Sequence, residues 1–211
     1  MVLFADRVDA GKRLVSALRN LVDKDAVVLA IPRGGVVVGY EVAKALGFPL
    51  DVIIPRKIGA PDQPELAIGA VTEDGTVLLD ESLVERLQVS DYYIKKESEA
   101  QRLEIQRRLK LYRGDVPYPN LANRDVILVD DGIATGSTMK AALASVRKRG
   151  AKNVVVAVPV GPPSTIIELE QEADRVVCLQ TPESFYAIGQ FYRDFTQTSD
   201  EEVTMLLKLA R

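Results

Sequence analysis

The sequence predicts an α/β fold, a parallel sheet with helices on both faces. Three features carry that expectation. Short β-branched apolar runs recur along the chain, of the kind that a parallel sheet buries on both faces. They alternate with segments of helical periodicity, which a parallel sheet needs as crossovers. The 211 residues are 47% hydrophobic and 27% charged, enough to bury a sizeable core within one domain over 1–211.

The elements follow in order. Asp6 or Asp9 can cap a helix reaching about Leu21, with Val8, Leu14, Leu18 and Leu21 at helical spacing. The run at 26–31 reads as a buried strand and ends at Pro32-Arg33-Gly34-Gly35. A helix over 36–46 stops at Gly47, a C′ glycine. Residues 50–55 read as a second buried strand. Residues 56–65, with Gly59, Pro61 and Pro64, read as irregular. Runs at 67–71 and 76–79 form a hairpin across Glu73-Asp74-Gly75. Ser90 caps a long charged helix over 91–112, ended by Gly114. Its apolar stripe is thin: Ile94, Ile105, Leu109 and Tyr112. It covers a loop or a subunit contact, or else is a solvated helix with pairs such as Glu104 and Arg108; both readings stay open. Pro117 and Pro119 mark a linker. Strands at 125–129, 153–158 and 175–179 then alternate with helices at 136–149, after Pro163, and at 199–209.

Composition removes several chemistries. The chain has no histidine, which excludes Ser-His-Asp and Cys-His triads and histidine metal sites. Its single cysteine, Cys178, excludes an internal disulfide and lies in an apolar run as a small buried hydrophobe. With 27 Lys and Arg against 30 Asp and Glu, the net charge of −3 argues against a broadly basic nucleic-acid protein. No apolar stretch reaches about 18 residues, and the start of the chain lacks a secretion signal. The expected location is the cytoplasm, with no membrane partner.

The most informative stretch is Val126-Ile127-Leu128-Val129-Asp130-Asp131-Gly132-Ile133-Ala134-Thr135-Gly136-Ser137-Thr138. A buried strand ends in two carboxylates, and a small, hydroxyl-rich loop leads into a helix. Ligands of open α/β sheets bind beyond the carboxyl ends of strands. Backbone N–H groups at the helix start, with the hydroxyls of Thr135, Ser137 and Thr138, suit a phosphate monoester. The acids then face something else: a vicinal diol or a divalent cation. A ribose 5-phosphate moiety meets both requirements. A P-loop needs a Lys before Ser137, which is missing, and Gly34, Gly35 and Gly39 do not make a dinucleotide fingerprint. A receiver domain would place its acids earlier in the chain.

This segment resembles the phosphoribosyl-pyrophosphate motif of type I phosphoribosyltransferases. Pro32-Arg33-Gly34-Gly35 is similar to that family's pyrophosphate loop, and Arg56-Lys57-Ile58-Gly59 stands in the place of its mobile catalytic loop. The element order matches over most of the chain. The pattern as a whole resembles a group of predicted phosphoribosyltransferases without an assigned acceptor.

The resemblance implies a Rossmann-like sheet with a small hood. It also implies an Mg²⁺-dependent transfer of phosphoribosyl from phosphoribosyl pyrophosphate to a nitrogenous, planar acceptor, a role in nucleotide metabolism. Gly132, Ile133, Ala134, Thr135, Gly136, Ser137 and Thr138 bind the ribose phosphate, the last five around the 5-phosphate. Asp130 and Asp131 take the ribose hydroxyls and favour positive charge on the ring. Arg33, Gly34 and Gly35 bind pyrophosphate; Arg56 and Lys57 neutralise it as it leaves. Mg²⁺ is held mostly by ligand oxygens and water near the two acids, without a confident direct ligand.

Two departures matter. Ala134 stands where hypoxanthine-guanine enzymes carry an acid, and Ala67-Ile68 stand where adenine enzymes supply a carboxylate. Glu65 is the nearest candidate base. The aromatic stretch at 181–195 forms the hood, with Phe185 and Tyr186 as stacking candidates. A non-catalytic regulator that binds phosphoribosyl pyrophosphate or a nucleotide is the alternative from another class. The long charged helix offers a surface for a homodimer.

Overall fold

The computed structural model describes residues 2–23 and 25–210. The elements are α1 (Arg7–Leu18), β1 (Val27–Ala30), α2 (Gly34–Leu46), β2 (Leu50–Val52), β3 (Arg56–Ala60), β4 (Gln63–Val71), β5 (Val77–Leu79), α3 (Glu81–Arg86), α4 (Asp91–Arg113), β6 (Asp125–Val129), α5 (Ser137–Lys148), β7 (Asn153–Val160), α6 (Pro163–Glu170), β8 (Arg175–Gln180) and α7 (Asp200–Leu209). Among the described residues, no helix is long and apolar enough to cross a membrane.

Five strands form the expected parallel sheet, in the order β2-β1-β6-β7-β8. Alternation explains why these runs are apolar throughout. Val28, Ala30, Ile127, Val129 and Val155 pack with α1, α2 and α7. Val27, Leu29, Val126, Leu128, Val154 and Val156 pack with α5 and α6 on the other face. Strand β1 lies between β2 and β6, so the strand order reverses there. A crevice opens at such a point, beyond the carboxyl ends of the strands.

The segment at 56–65 is not irregular. It is β3, a tight turn and the start of β4, in a second, antiparallel sheet ordered β3-β4-β5. Asp62 takes φ 62° in the turn, and Ala60 pairs with Gln63. The register shifts at Gly59, where a Cβ would lie 2.6 Å from the Pro64 carbonyl oxygen. Glycine and proline here mark a bulge rather than a break. The hairpin between β4 and β5 stands where expected, pairing Val71 with Val77.

Strand β2 ends at Val52 rather than near Pro55; the Ile53 N–H still reaches the Ala30 oxygen (3.1 Å) before the chain turns into β3. Helix α3 had no sequence signal beyond Asp80, whose carboxylate caps the Leu83 N–H (3.0 Å); six residues are too few to show a period. Helix α4 does carry a thin stripe: Ile105 and Tyr112 are buried, with Ile94 and Leu109 packed beside them. Cys178 is half-buried rather than fully enclosed; its thiol donates to the Gln180 carbonyl (3.1 Å), and burial pushes its pKa up to about 11.

Candidate active site

Strand β6 delivers Asp130 and Asp131 to the crevice, and their surroundings differ. The Asp131 carboxylate accepts from Arg7 Nε at 2.7 Å, both side chains being almost enclosed. Its main-chain carbonyl accepts from the Tyr192 hydroxyl at 2.6 Å. Arg7 in turn lies 3.8 Å over the Phe195 ring and donates to the Thr196 carbonyl at 2.8 Å. Asp130 has no cation at bonding distance among the described residues. Its Oδ1 accepts only the Asp131 N–H, at 2.8 Å. Burial, then the charge of Asp131, push the Asp130 carboxyl well above the ordinary carboxylate range.

The loop after β1 packs directly on this pair. A Cβ on Gly34 would lie 1.9 Å from Asp131 Oδ2, and one on Gly35 would lie 2.9 Å from Asp130 Cα. Only glycine permits that approach. The Pro32–Arg33 peptide is cis. The Arg33 side chain extends toward Asp200 on α7, at 3.8 Å.

The loop after Asp131 turns into α5 through Gly136, at φ 77°. Among the described residues, no side chain caps α5. Its first N–H groups therefore remain available to an anion. Loop and neighbours interlock: Thr165 of α6 donates to the Ala134 carbonyl (2.8 Å), and a Cβ on Gly132 would strike Ile188 at 2.5 Å.

Asp130 and the loop residues 132–138 line a cavity of about 860 Å³. Lys57, Glu65, Ala67, Leu79 and Ile188 are among its other walls. A second cavity of about 560 Å³ shares Lys57, Glu65, Asp130 and Thr138 and adds Pro32, Arg56 and one face of α4. Lys57 pairs with the exposed carboxylate of Glu65 at 3.1 Å. Arg56 donates through Nε to Gln101. Among the described residues, no three His, Cys, Asp or Glu side chains converge as a metal-holding group.

A family model for the phosphoribosyl transferase domain matches residues 5–196. The chain belongs to that family. In Mycobacterium tuberculosis, a protein that carries the provisional name phosphoribosyl transferase is 48% identical over 210 residues, which is 100% of this chain and 47% of that protein. The chain thus spans about half the length of the curated relatives it matches. The crystal structure of TT1426 from Thermus thermophilus is 43% identical, with a TM-score of 0.83 and 98% of each chain covered. A purine phosphoribosyltransferase from Pyrococcus horikoshii shares the fold, at 20% identity, a TM-score of 0.51, and 89% of this chain and 90% of that one covered.

The phosphoribosyl transferase fold gathers most of the residues singled out by sequence. Asp130, Gly132, Ile133, Ala134, Thr135, Gly136, Ser137, Thr138 and Lys57 meet at the larger cavity and Arg56 at the smaller. Asp131, Gly34 and Gly35 form the packed layer behind. Phe185 and Tyr186 line neither cavity. Phe185 packs on Phe191, with centroids 5.1 Å apart, and Tyr186 is 91% exposed. Ile188, from the same stretch, reaches the larger cavity in their place. Arg7 and Tyr192 were missed by sequence reasoning. They lie 124 and 61 residues from Asp131, and nothing local to either announces the contact.

Proposed function

We propose that the chain is an Mg²⁺-dependent phosphoribosyltransferase, acting in the cytoplasm on nucleotide-type substrates. It moves the 5-phosphoribosyl group of phosphoribosyl pyrophosphate onto a nitrogenous, nucleobase-like acceptor and releases pyrophosphate, with inversion at the anomeric carbon. One observation carries this reading: an unpaired, half-buried Asp130 lies between an uncapped helix start and the glycine loop after β1, on the floor shared by both cavities.

The chain's own groups divide the work. The α5 start and the loop at 134–138 hold the 5-phosphate. Asp130 accepts from the ribose hydroxyls and favours the oxocarbenium-like charge as the C1–O bond to pyrophosphate breaks. Asp131 acts from behind, fixing the loop through Arg7 and Tyr192. Arg56 and Lys57 receive the leaving pyrophosphate, while Gly34 and Gly35 let the backbone approach it. Apolar groups from Leu66, Ala67, Leu79 and Ile188 border the acceptor end, and Glu65 is the candidate base. A carboxylate such as Asp130, with no ion pair to any described residue, fits a cation carried mainly by ligand oxygens and water. When bound, Mg²⁺ would neutralise pyrophosphoryl charge beside Asp130.

The test is pyrophosphate release from phosphoribosyl pyrophosphate and Mg²⁺ across a panel of nucleobases and other amines. Release with at least one acceptor supports the reading. Binding of the donor without turnover on any acceptor favours a non-catalytic regulator.

A further inference from the structure

The smaller cavity has a wall that neither strand-end loop supplies. Tyr93, Glu97, Gln101 and Arg108 of α4 line it, at spacings that put them on one helix face. Pro32 and Asp130 line the same cavity. The groups on this wall are unevenly paired. Glu97 accepts from Gln101 (2.7 Å), and Gln101 accepts from Arg56 Nε. Arg56 has no ion pair with any described residue. Glu104 serves two guanidiniums at once: it takes Arg107 through two hydrogen bonds (2.7 and 2.9 Å) and Arg108 through one (2.8 Å).

Arg56, Arg107 and Arg108 therefore have two carboxylates nearby, Glu104 and Glu97, and only Glu104 is in an ion pair with any of them among the described residues. Burial, then the charge of Arg108, lower the affinity of Arg56 for its own proton, and Glu104 and Glu97 offset this only in part. Among the described residues, the only side-chain hydrogen bond of Arg56 runs through Nε, and so does that of Arg108. Both guanidiniums are thus held at one edge, with their Nη donors left over. That is the fork geometry that recognises phosphoryl oxygens.

We propose that Arg108 is a donor-binding residue, which takes the pyrophosphoryl group together with Arg56 on the α4 side of the smaller cavity. This rests on the phosphoribosyltransferase reading above. It gives the charged helix a direct part in the site, beyond its packing on β3. Arg107 shares the Glu104 carboxylate but lines neither cavity and is well exposed, so it reports the structural effect of losing that pair.

Titration calorimetry with inorganic pyrophosphate plus Mg²⁺, and separately with ribose 5-phosphate, tests the assignment on Arg108→Gln, Arg108→Lys and Arg107→Gln. Arg108→Gln should weaken pyrophosphate binding about tenfold or more, as for loss of charge-assisted hydrogen bonds. Ribose 5-phosphate affinity should stay within about twofold of the unaltered protein, since that ligand sits at α5. Arg108→Lys should fall between, keeping the charge without the fork; it also serves if the glutamine variant does not fold. Arg107→Gln should bind both ligands normally. Unchanged pyrophosphate affinity in Arg108→Gln and Arg108→Lys overturns the proposal while leaving the phosphoribosyltransferase reading intact. Equal losses in Arg108→Gln and Arg107→Gln overturn it too, because the effect then follows Glu104. If the unaltered protein binds neither ligand, both fall together.

Discussion

Asp130 and Asp131 are adjacent in the chain, yet opposite forces act on them. Asp131 sits in an almost enclosed ion pair with Arg7, and removing its charge strands a guanidinium beside Phe195. Asp130 faces the larger cavity with no cation at bonding distance among the described residues, and burial and the charge of Asp131 disfavour its ionised form until a ligand arrives. Asparagine substitutions should therefore separate stability from activity. Asp131→Asn should cost about 3 kcal/mol, the scale for breaking a buried pair from one side. Asp130→Asn should melt at or above the temperature of the unaltered protein near neutral pH. Its pyrophosphate release should nonetheless fall by about 100-fold or more, as for loss of a group aimed at developing charge. Calorimetry and the release assay on both variants decide. Equal loss of stability in the two would show that Asp130 is a packing residue.

Among the elements, the β4–β5 hairpin is bound to the far end of α5 by a clamp that no motif announced. Glu73 at its turn pairs with Arg149 (3.0 Å), and the Tyr118 ring lies between Arg149 (3.9 Å) and Arg113 (4.4 Å). Arg113 in turn holds Asp51 and the Val52 carbonyl, both at 3.0 Å. The Tyr118 hydroxyl is enclosed without a partner among the described residues. The ring carries the cation–π contacts, and the hydroxyl adds only a desolvation cost. Tyr118→Phe should thus be neutral or stabilising in urea unfolding, whereas Tyr118→Ala should cost about 2 kcal/mol. A marked loss in the phenylalanine variant would mean that the hydroxyl is bonded in solution.

This clamp also shows what could be read from sequence and what could not. The five parallel strands were legible because alternate residues of each pack on opposite helical layers, which leaves continuous apolar runs. The loop after Asp131 was legible because its hydroxyls, glycines and acids are neighbours in the chain. The pairing of β3 with β4 was hidden, since Gly59 and Pro64 form a bulge while looking like a break. The clamp joins Asp51, Glu73, Arg113, Tyr118 and Arg149, which share no spacing. Phe185 packs on Phe191 and Tyr186 faces solvent, while Ile188 borders both that small core and the larger cavity.

For the whole molecule, the strain held at one carboxyl should appear as a pH dependence of folding. Asp130 has a higher pKa folded than unfolded, so the fold favours its protonated form. Its contribution to stability is fully present below the ordinary carboxylate range and is lost as pH rises through the folded value. Glu73, also raised by burial, acts with the same sign, while Asp74 and Glu104, both lowered to about 2, act with the opposite sign and only in acid. Subtracting the Asp130→Asn profile isolates the one group. In metal-free buffer the stability advantage of the unaltered protein over Asp130→Asn should shrink, and then reverse, as pH climbs from about 4 upward. On the proposed function donor affinity should run the other way, because a ribose diol and its accompanying cation would bind the ionised carboxylate. The unaltered protein should gain affinity for phosphoribosyl pyrophosphate with Mg²⁺ over the same interval that costs it stability. The Asp130→Asn protein should keep only the stability slopes that Glu73, Asp74, Glu104 and the other shifted groups give it, and should lose the Asp130-dependent gain in donor affinity. Parallel melting profiles for the two proteins, with donor affinity flat across that interval, would place the coupling elsewhere in the fold.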